Sequence, residues 1–397
     1  LKLLDLKEET KEKTYILSYL PKNLSDLIGN NKKIHYNGRM LKKAYLIDII
    51  HTLIKKSYYI QSVSFNLSSE ILRIKYGTHY NYLMNYLLDN NIIKMVSNYY
   101  VGKKTKTYIL LPKTLKCVVT VENSDTFLIK KYNDFRKVES LRKLNNKFIS
   151  VELMVKIIDN LDRVTINYTE ADEYINTIKL NKNQYTKNTH DIKCLKHRDI
   201  WFTFDKYGRF HSNLTTLKSG IRDNFLLIDG EVIKEIDIAN SQPIFLTQIM
   251  SDNLDKVDIE EYEFFKQLVI NGKLYEYVSI NSGGTRIKKV KTSMYKVFFG
   301  KNHLASNDNV IFNQLFPSIF KFIKGYKKEK DNHKVLSHEL QGSESNLLFN
   351  NIIRNVVDKY PELPFFTVHD SISIKYSDYD KVKEIFDYNI NKLYKNL

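Results

Sequence analysis

Apolar positions fall into helical and strand periods that divide the chain into successive blocks. From Leu41 to Ile54 they recur every three or four residues through Tyr45, Leu46, Ile49, Ile50 and Leu53, the spacing of a helix with one face on a core. Ser68 then offers a cap for a short helical run, Tyr76-Gly77-Thr78-His79 makes a turn with Thr78 as a second cap, and Tyr80 to Asn90 reads as another helix ended by Asp89-Asn90-Asn91. Ile92 to Tyr100 and Thr107 to Leu111 read as two strands joined through the basic tip Gly102-Lys103-Lys104-Thr105-Lys106. Residues 1–37 mix charges with short apolar runs such as Tyr15-Ile16-Leu17 and are taken as a peripheral arm.

Pro112 marks a boundary, because proline cannot continue a strand ladder from within. Asp134 to Leu161 is again helical in pattern, with Phe135, Val138, Leu141 and Leu144 on one stripe and Val151, Met154, Val155 and Ile158 on another. Residues 179–198 carry Lys179, Lys182, Lys187, Lys193, Lys196 and Arg198 with no apolar period, which predicts a mobile basic loop.

Two strand ends in the last half of the chain each present a carboxylate. Phe365-Phe366-Thr367-Val368 and Ser371-Ile372-Ser373-Ile374-Lys375 are apolar runs meeting at His369-Asp370, the pattern of a hairpin with an acid at its tip, and a helix over Tyr379 to Leu393 follows with Val382, Ile385, Phe386 and Ile390 inward. A second run ends at Ile236-Asp237-Ile238 just before a helix-like segment. Carboxylates converging from two strand ends can share divalent cations, although an acid in a turn commonly bonds only its own backbone. Between them, Lys291, Tyr295 and Phe299 are spaced by four and share one face of a predicted helix over Arg286 to Gly300.

Charge narrows the choice of partner. The 397 residues carry 62 Lys and Arg against 45 Asp and Glu, a net charge of +17. That excess favours a polyanion, nucleic acid first and an anionic membrane second. Cys117 and Cys194 stand far apart, which excludes a disulfide framework and a cysteine zinc site of usual spacing, and points to a reducing intracellular, cytoplasmic setting. No apolar run approaches the roughly 18 residues of a membrane span. The opening stretch is too acidic for a signal peptide and begins without Met, so residue 1 is not read as the natural start.

Three helices followed by a basic-tipped hairpin is the order of a winged helix-turn-helix, which residues 38–112 resemble in pattern. The resemblance implies a nucleic-acid contact through Thr78 to Asn90, with Lys103, Lys104 and Lys106 on phosphate. Residues 201–397 resemble the family A polymerases at five places in that family's order. These are Tyr207-Gly208-Arg209-Phe210, Asp237 followed by Ser241-Gln242-Pro243, the run from Arg286 to Gly300, Leu340-Gln341-Gly342-Ser343, and His369-Asp370-Ser371.

The resemblance implies an α+β fold, a right-hand palm and fingers with an antiparallel palm sheet, preceded by a winged-helix-like domain. The chain divides accordingly into an arm at 1–37, a winged-helix-like domain at 38–112, a helical linker or reduced thumb at 113–200, and palm and fingers at 201–397. Asp237 and Asp370 would hold two Mg²⁺, Lys291 would serve the triphosphate, and Arg286, Tyr295, Phe299 and Gln242 would line the nucleotide. Arg209, Gln341 and His369 would meet the primer-template, and Gln341-Gly342-Ser343 would open a long palm helix.

This sequence also departs from the family. Ser241-Gln242 lies two residues further from Asp237 than in the DNA polymerases, and Ile244 replaces the Glu that walls off a ribose 2′-hydroxyl. Ile287 stands where the family has Arg, Phe299-Gly300 replaces Tyr-Gly, and Ser371 follows His-Asp as in the single-subunit RNA polymerases. No proofreading exonuclease is visible before residue 200. The resemblance thus implies a minimal, primer-extending DNA polymerase, suited to a phage or mobile element and to replication partner proteins. An RNA polymerase or primase, or a non-catalytic replication protein, remain alternatives.

Overall fold

The computed structural model describes residues 15–22, 24, 32–60, 64–98, 100, 105–111, 118–132, 148–205, 207–302, 307–329, 332 and 334–397, without the side chains of 58–60 and 307–309. It is a mixed α+β structure in which small sheets are combined with many helices. Contacts divide it into two units, one of residues 1–142, 166–200 and 216–221, the other of residues 143–165, 201–215 and 222–397. Among the described residues no helix is long and apolar enough to cross a membrane.

Among the described residues the first unit opens with a strand, within the stretch expected as a peripheral arm. β1 (Ile16–Pro21) is buried along its whole length. A hairpin follows, β2 (Lys33–Tyr36) and β3 (Arg39–Lys42), turned by Asn37 and Gly38, both at positive φ, the backbone that a two-residue hairpin turn matching the twist of its strands requires. The helix α1 (Lys43–Ile60) sets Leu46, Ile49, Ile50, Leu53 and Ile54 into the core, as its apolar period predicts.

Next come β4 (Ser64–Leu67), α2 (Ser69–Tyr76), α3 (Tyr80–Asp89), β5 (Ile93–Ser97) and β6 (Lys106–Leu110). The strands form a sheet in the order β4-β6-β5, so β4 adds a strand that the hydrophobic pattern did not announce. Ser68 caps α2 as expected. Thr78 caps nothing, because Gly77 to His79 form a single 3₁₀ turn leading straight into α3. The tip residues Lys103 and Lys104 lie outside the described residues, as do residues 134–147 of the predicted helical stretch.

β7 (Val118–Asn123) pairs antiparallel with β1, from Ile16 opposite Asn123 to Pro21 opposite Val118. The stretch expected as a mobile basic loop is instead the helix α4 (Lys182–Lys196), begun by a reciprocal Asn181 and Gln184 capping box. Its lysines are interleaved with buried Asn188, His190, Asp191, Ile192, Cys194 and Leu195. Those polar groups are buried because they are bonded: Asn188 accepts the Lys218 backbone N–H at 2.6 Å, and Asp191 accepts the Thr216 hydroxyl at 2.7 Å. A face satisfied by hydrogen bonds leaves no apolar period to read.

Tyr19 of β1 stacks on His190 of α4, with ring centroids 3.8 Å apart, and on His51 of α1 at 5.4 Å. His51 Nδ1 accepts the Tyr19 backbone N–H at 2.9 Å, so that nitrogen must be unprotonated. Burial, with Lys55 nearby, depresses both imidazoles, His190 to about 3 and His51 well below its ordinary value. Between the ordinary histidine value of about 6.5 and these depressed values the unfolded chain binds more protons than the folded one. Stability is therefore whole above about pH 6.5 and falls as pH drops, by up to about 1.4 kcal/mol per pH unit for each ring. Denaturant midpoints at pH 7 and pH 5 should differ accordingly, and the difference should shrink in His190→Gln; equal midpoints in the unaltered chain would exclude this linkage.

The second unit contains the expected hairpin, β13 (Phe365–Val368) and β14 (Ser371–Lys375). β13 lies at one edge of a five-stranded sheet of order β13-β14-β12-β11-β8, where β8 is Val164–Ile166, β11 is Leu226–Ile228 and β12 is Glu231–Asp237, while β9 (Phe202–Phe204) and β10 (Phe210–Ser212) pair in a separate hairpin. The pairs β13–β14, β14–β12 and β12–β11 are antiparallel. Phe365, Phe366, Ile372 and Ile374 are fully buried, each stabilising the hairpin by about 1.5–3 kcal/mol, which fixes the position of the tip. The chain leaves β12 through Asn240, at a left-handed φ of 57°, into the almost wholly buried helix α5 (Ser241–Ser251).

The helix α6 (Ile287–Phe299) buries Val290, Met294, Val297 and Phe298. Its C-terminal carbonyls of Val297 and Gly300 accept the ammonium of the buried Lys327. A helix α7 (Val335–Asn346) continues through a π-helical turn, Leu347–Ile353, into Arg354–Lys359. Gln341-Gly342-Ser343 lies inside α7 and does not open it; Gly342 faces the Phe148 ring, at a spacing that would also admit a Cβ. The final helix, α8 (Tyr379–Lys395), turns Val382, Ile385 and Phe386 inward as predicted.

Candidate active site

The two strand ends that carry the carboxylates are adjacent, and the Asp237 charge reaches Asp370. In the antiparallel register of β12 and β14, Asp237 lies opposite Ser371, the neighbour of Asp370, and the Ile238 backbone N–H donates to the Asp370 carbonyl at 3.3 Å. The tip turns because His369 adopts a left-handed φ of 55°, a conformation that costs a non-glycine residue energy and is most often kept at functional turns.

Asp237 opens to solvent on one side, yet its carboxyl is pushed up to about 6, first by burial and then by Glu235, while Lys291 pulls it down. Asp370 is pushed up to about 7 by burial, Glu344 and Asp237, against a lowering by Arg209. Burial is the leading cause at both, and neighbouring carboxylates add to it. Burial holds His369 down to about 4, helped by Arg209 and His211.

The α6 helix presents its predicted face to this pair. The Lys291 charge reaches Asp237, and its Nζ lies 4.9 Å from the Tyr275 ring centroid. Tyr295 is hydrogen-bonded to Tyr275; burial raises its phenol, the Tyr275 bond lowers it, and Asp370, Glu344 and Asp237 raise it further. Phe299 stacks on Tyr295 at 5.6 Å. Arg209 and Gln242 join through Glu344, which accepts hydrogen bonds from the Arg209 guanidinium, the Ser241 hydroxyl and the Gln242 amide.

Gly208 keeps Arg209 in this place. Its φ is +84°, and a Cβ there would come within 2.9 Å of the Phe148 Cβ, so neither the backbone nor the space admits a side chain.

The remaining expected residues are not drawn into the cluster. Arg286 is exposed ahead of the first turn of α6, and no bond joins it to the aspartates among the described contacts. Gln341 is half-buried on α7, three residues before Glu344 and so on the same side of that helix. Lys106 is exposed at the start of β6 in the first unit.

Ser241 was expected only as the neighbour of Gln242 in the motif after Asp237, and Glu344, Glu235 and Tyr275 were given no role. Glu344 and Glu235 stand in the same runs as Gln341 and Asp237, which is the sequence signal that could have found them; Tyr275 carried none. Ser371 proves to be a tie across the sheet, its hydroxyl lying within bonding reach of Glu235 and of the Val368 carbonyl. Glu235 in turn faces the Arg222 guanidinium at 3.7 Å.

No family model and no curated protein matches this chain. The chemistry of the site therefore rests on its own residues. Among the described residues no three His, Cys, Asp or Glu side chains form a ready-made metal cluster. Magnesium is ordinarily held by one or two carboxylates together with substrate phosphates. Two aspartates disfavoured in their charged form by burial and by neighbouring carboxylates fit that donor set, because a hard cation offsets that charge.

Proposed function

We propose that the second unit is a template-directed nucleotidyltransferase, a minimal family A-like DNA polymerase that extends a primer with nucleoside triphosphates and lacks proofreading. The observation that carries this reading is the convergence of Asp237 and Asp370 at adjacent strand ends, with Lys291 and Tyr295 of one helix face beside them.

Asp237 and Asp370 would hold two Mg²⁺. When bound, such ions lower the pKa of an attacking hydroxyl and balance the charge of a departing pyrophosphate. Lys291, exposed and cationic at the edge of the carboxylate pair, holds the triphosphate and hands a proton to the leaving pyrophosphate. Tyr295 and Phe299 offer stacked rings to a base and sugar. Arg209, partly buried beside Asp370, meets the backbone of the primer-template. The first unit supplies a winged-helix-like module whose strand β6 carries Lys106 toward phosphate, in keeping with the net charge of +17.

Two positions favour a second reading, an RNA polymerase or primase. Ile244 stands where the resemblance would place the Glu that bars a 2′-hydroxyl, and Ser371 follows His369-Asp370 as in the single-subunit RNA polymerases. The assay that decides supplies primed and unprimed templates with either dNTPs or NTPs in Mg²⁺. Primer extension with dNTPs is the expected product. Unprimed NTP incorporation would transfer the assignment to the second reading, and no product under any condition would leave a non-catalytic nucleic-acid-binding replication protein.

A further inference from the structure

Glu344 has no place in the two-aspartate scheme, yet it is the most heavily bonded carboxylate beside it. It is 2% exposed, and burying a carboxylate is costly unless it is paired and hydrogen-bonded. Here Arg209, Ser241 and Gln242 all donate to it. Ser241 and Gln242 open the helix that follows Asp237. Arg209 lies two residues before His211, whose ring centroid is 6.1 Å from that of His369 beside Asp370. Glu344 is thus bonded to the helix that follows Asp237 and, through Arg209, to the segment that runs beside the Asp370 turn.

The donors around it are committed to this one acceptor. Gln242 Oε1, Arg209 Nε and the Ser345 hydroxyl, all buried, have no hydrogen-bond partner among the described residues. A cluster arranged for tight packing alone would not leave three polar atoms open while directing three donors onto one carboxylate.

We propose that Glu344 is a positioning residue whose fixed negative charge, opposed by Arg209, sets how tightly the Asp237 and Asp370 pair holds divalent cations. The inference rests on the reading of that pair as cation ligands. Glu344 acts from outside the ligand set: its three bonds hold it in place, and its charge is felt by an ion at the strand ends. One unit charge acting on a divalent ion within a Debye length, about 10 Å at 0.1 M salt, changes its affinity on the order of tenfold. Arg209 contributes the opposite sign. Departure of its guanidinium toward a nucleic-acid phosphate would leave the Glu344 charge unbalanced and strengthen the cation site when the primer-template is seated.

The test uses Mn²⁺ as probe, titrated into the full chain without nucleotide or nucleic acid and followed by electron paramagnetic resonance. Glu344→Gln keeps the shape and an acceptor oxygen while removing the charge, and should weaken Mn²⁺ binding about tenfold. Arg209→Gln should tighten it. In primer extension, the Mg²⁺ concentration for half-maximal rate should rise in Glu344→Gln, with the rate at saturating Mg²⁺ largely kept.

Unchanged Mn²⁺ affinity in Glu344→Gln, or weakening in both variants alike, would overturn the proposal, because a merely structural role cannot give opposite signs. Should Glu344→Gln fail to fold, as read by its thermal melt, Arg209→Gln alone decides by the sign of its effect. Asp370→Asn is the control: Mn²⁺ binding that does not depend on Asp370 removes the pair as ligands, and the proposal with it, whatever Glu344 does.

Discussion

Asp370→Asn is expected to lower nucleotide incorporation on the order of 10³-fold, since a ligand to catalytic metal supports several kcal/mol of transition-state charge and each 1.36 kcal/mol is tenfold in rate. The substitution is nearly isosteric, and the hairpin that carries it is held by fully buried Phe365, Phe366, Ile372 and Ile374. Its effect on stability should have the opposite direction. Burial, Glu344 and Asp237 push the Asp370 carboxyl up to about 7, so without metal its charged form opposes folding at neutral pH. The sign follows from linkage: the folded-state value lies above the ordinary one, so the folded chain binds more protons across that interval, and stability falls as pH rises through it. Asn removes that opposition, and the melting temperature without Mg²⁺ should equal or exceed that of the unaltered chain. Single-turnover primer extension and a thermal melt measure both halves. Incorporation at the unaltered rate would end the assignment of Asp370.

Lys291→Met should lower kcat/KM for the nucleotide by about 10²-fold or more. A charge-assisted bond to phosphate contributes roughly 1.5–3 kcal/mol, and proton transfer to a leaving group typically supplies a further 10²-fold. Lys291 is exposed and its Nζ rests over the Tyr275 ring, so stability should change by no more than about 0.5 kcal/mol. Affinity for the primer-template should be kept, because the loss concerns the triphosphate. Lys291→Arg, which keeps the charge but does not readily give up a proton, should recover nucleotide affinity more than rate. A change of less than threefold in Lys291→Met would take the lysine out of the chemistry.

These two residues were legible in the sequence for a local reason. Each stands where one periodic pattern gives way to another or repeats along one helix face. Asp370 marks the break between two apolar runs, Asp237 the end of a third, and Lys291, Tyr295 and Phe299 recur at the helical interval. Periodicity of this kind is imposed by backbone geometry within a few residues, and the elements β12, β13, β14, α6 and α8 all lie where it places them.

What failed in the sequence failed through distance along the chain. β1 is a core strand only because Val118–Asn123 supplies its partner about a hundred residues later. The α4 helix looked like a solvated loop because its buried Asn188 and Asp191 are satisfied by Lys218 and Thr216, which no window around α4 contains. The family resemblance places Gln341-Gly342-Ser343 at a helix start, while here the helix already begins at Val335, six residues earlier.

The sequence by itself determined that two acids end two strands and that a lysine, a tyrosine and a phenylalanine share one helix face. Only the tertiary structure decided that the acids are neighbours, that Ser371 ties β14 to Glu235, and that Glu344 gathers Arg209, Ser241 and Gln242 beside them. The physical reason is that periodicity records which side of an element is buried. The burial of a charge depends on donors brought from elsewhere, and Glu344 takes its donors from residues more than a hundred positions away.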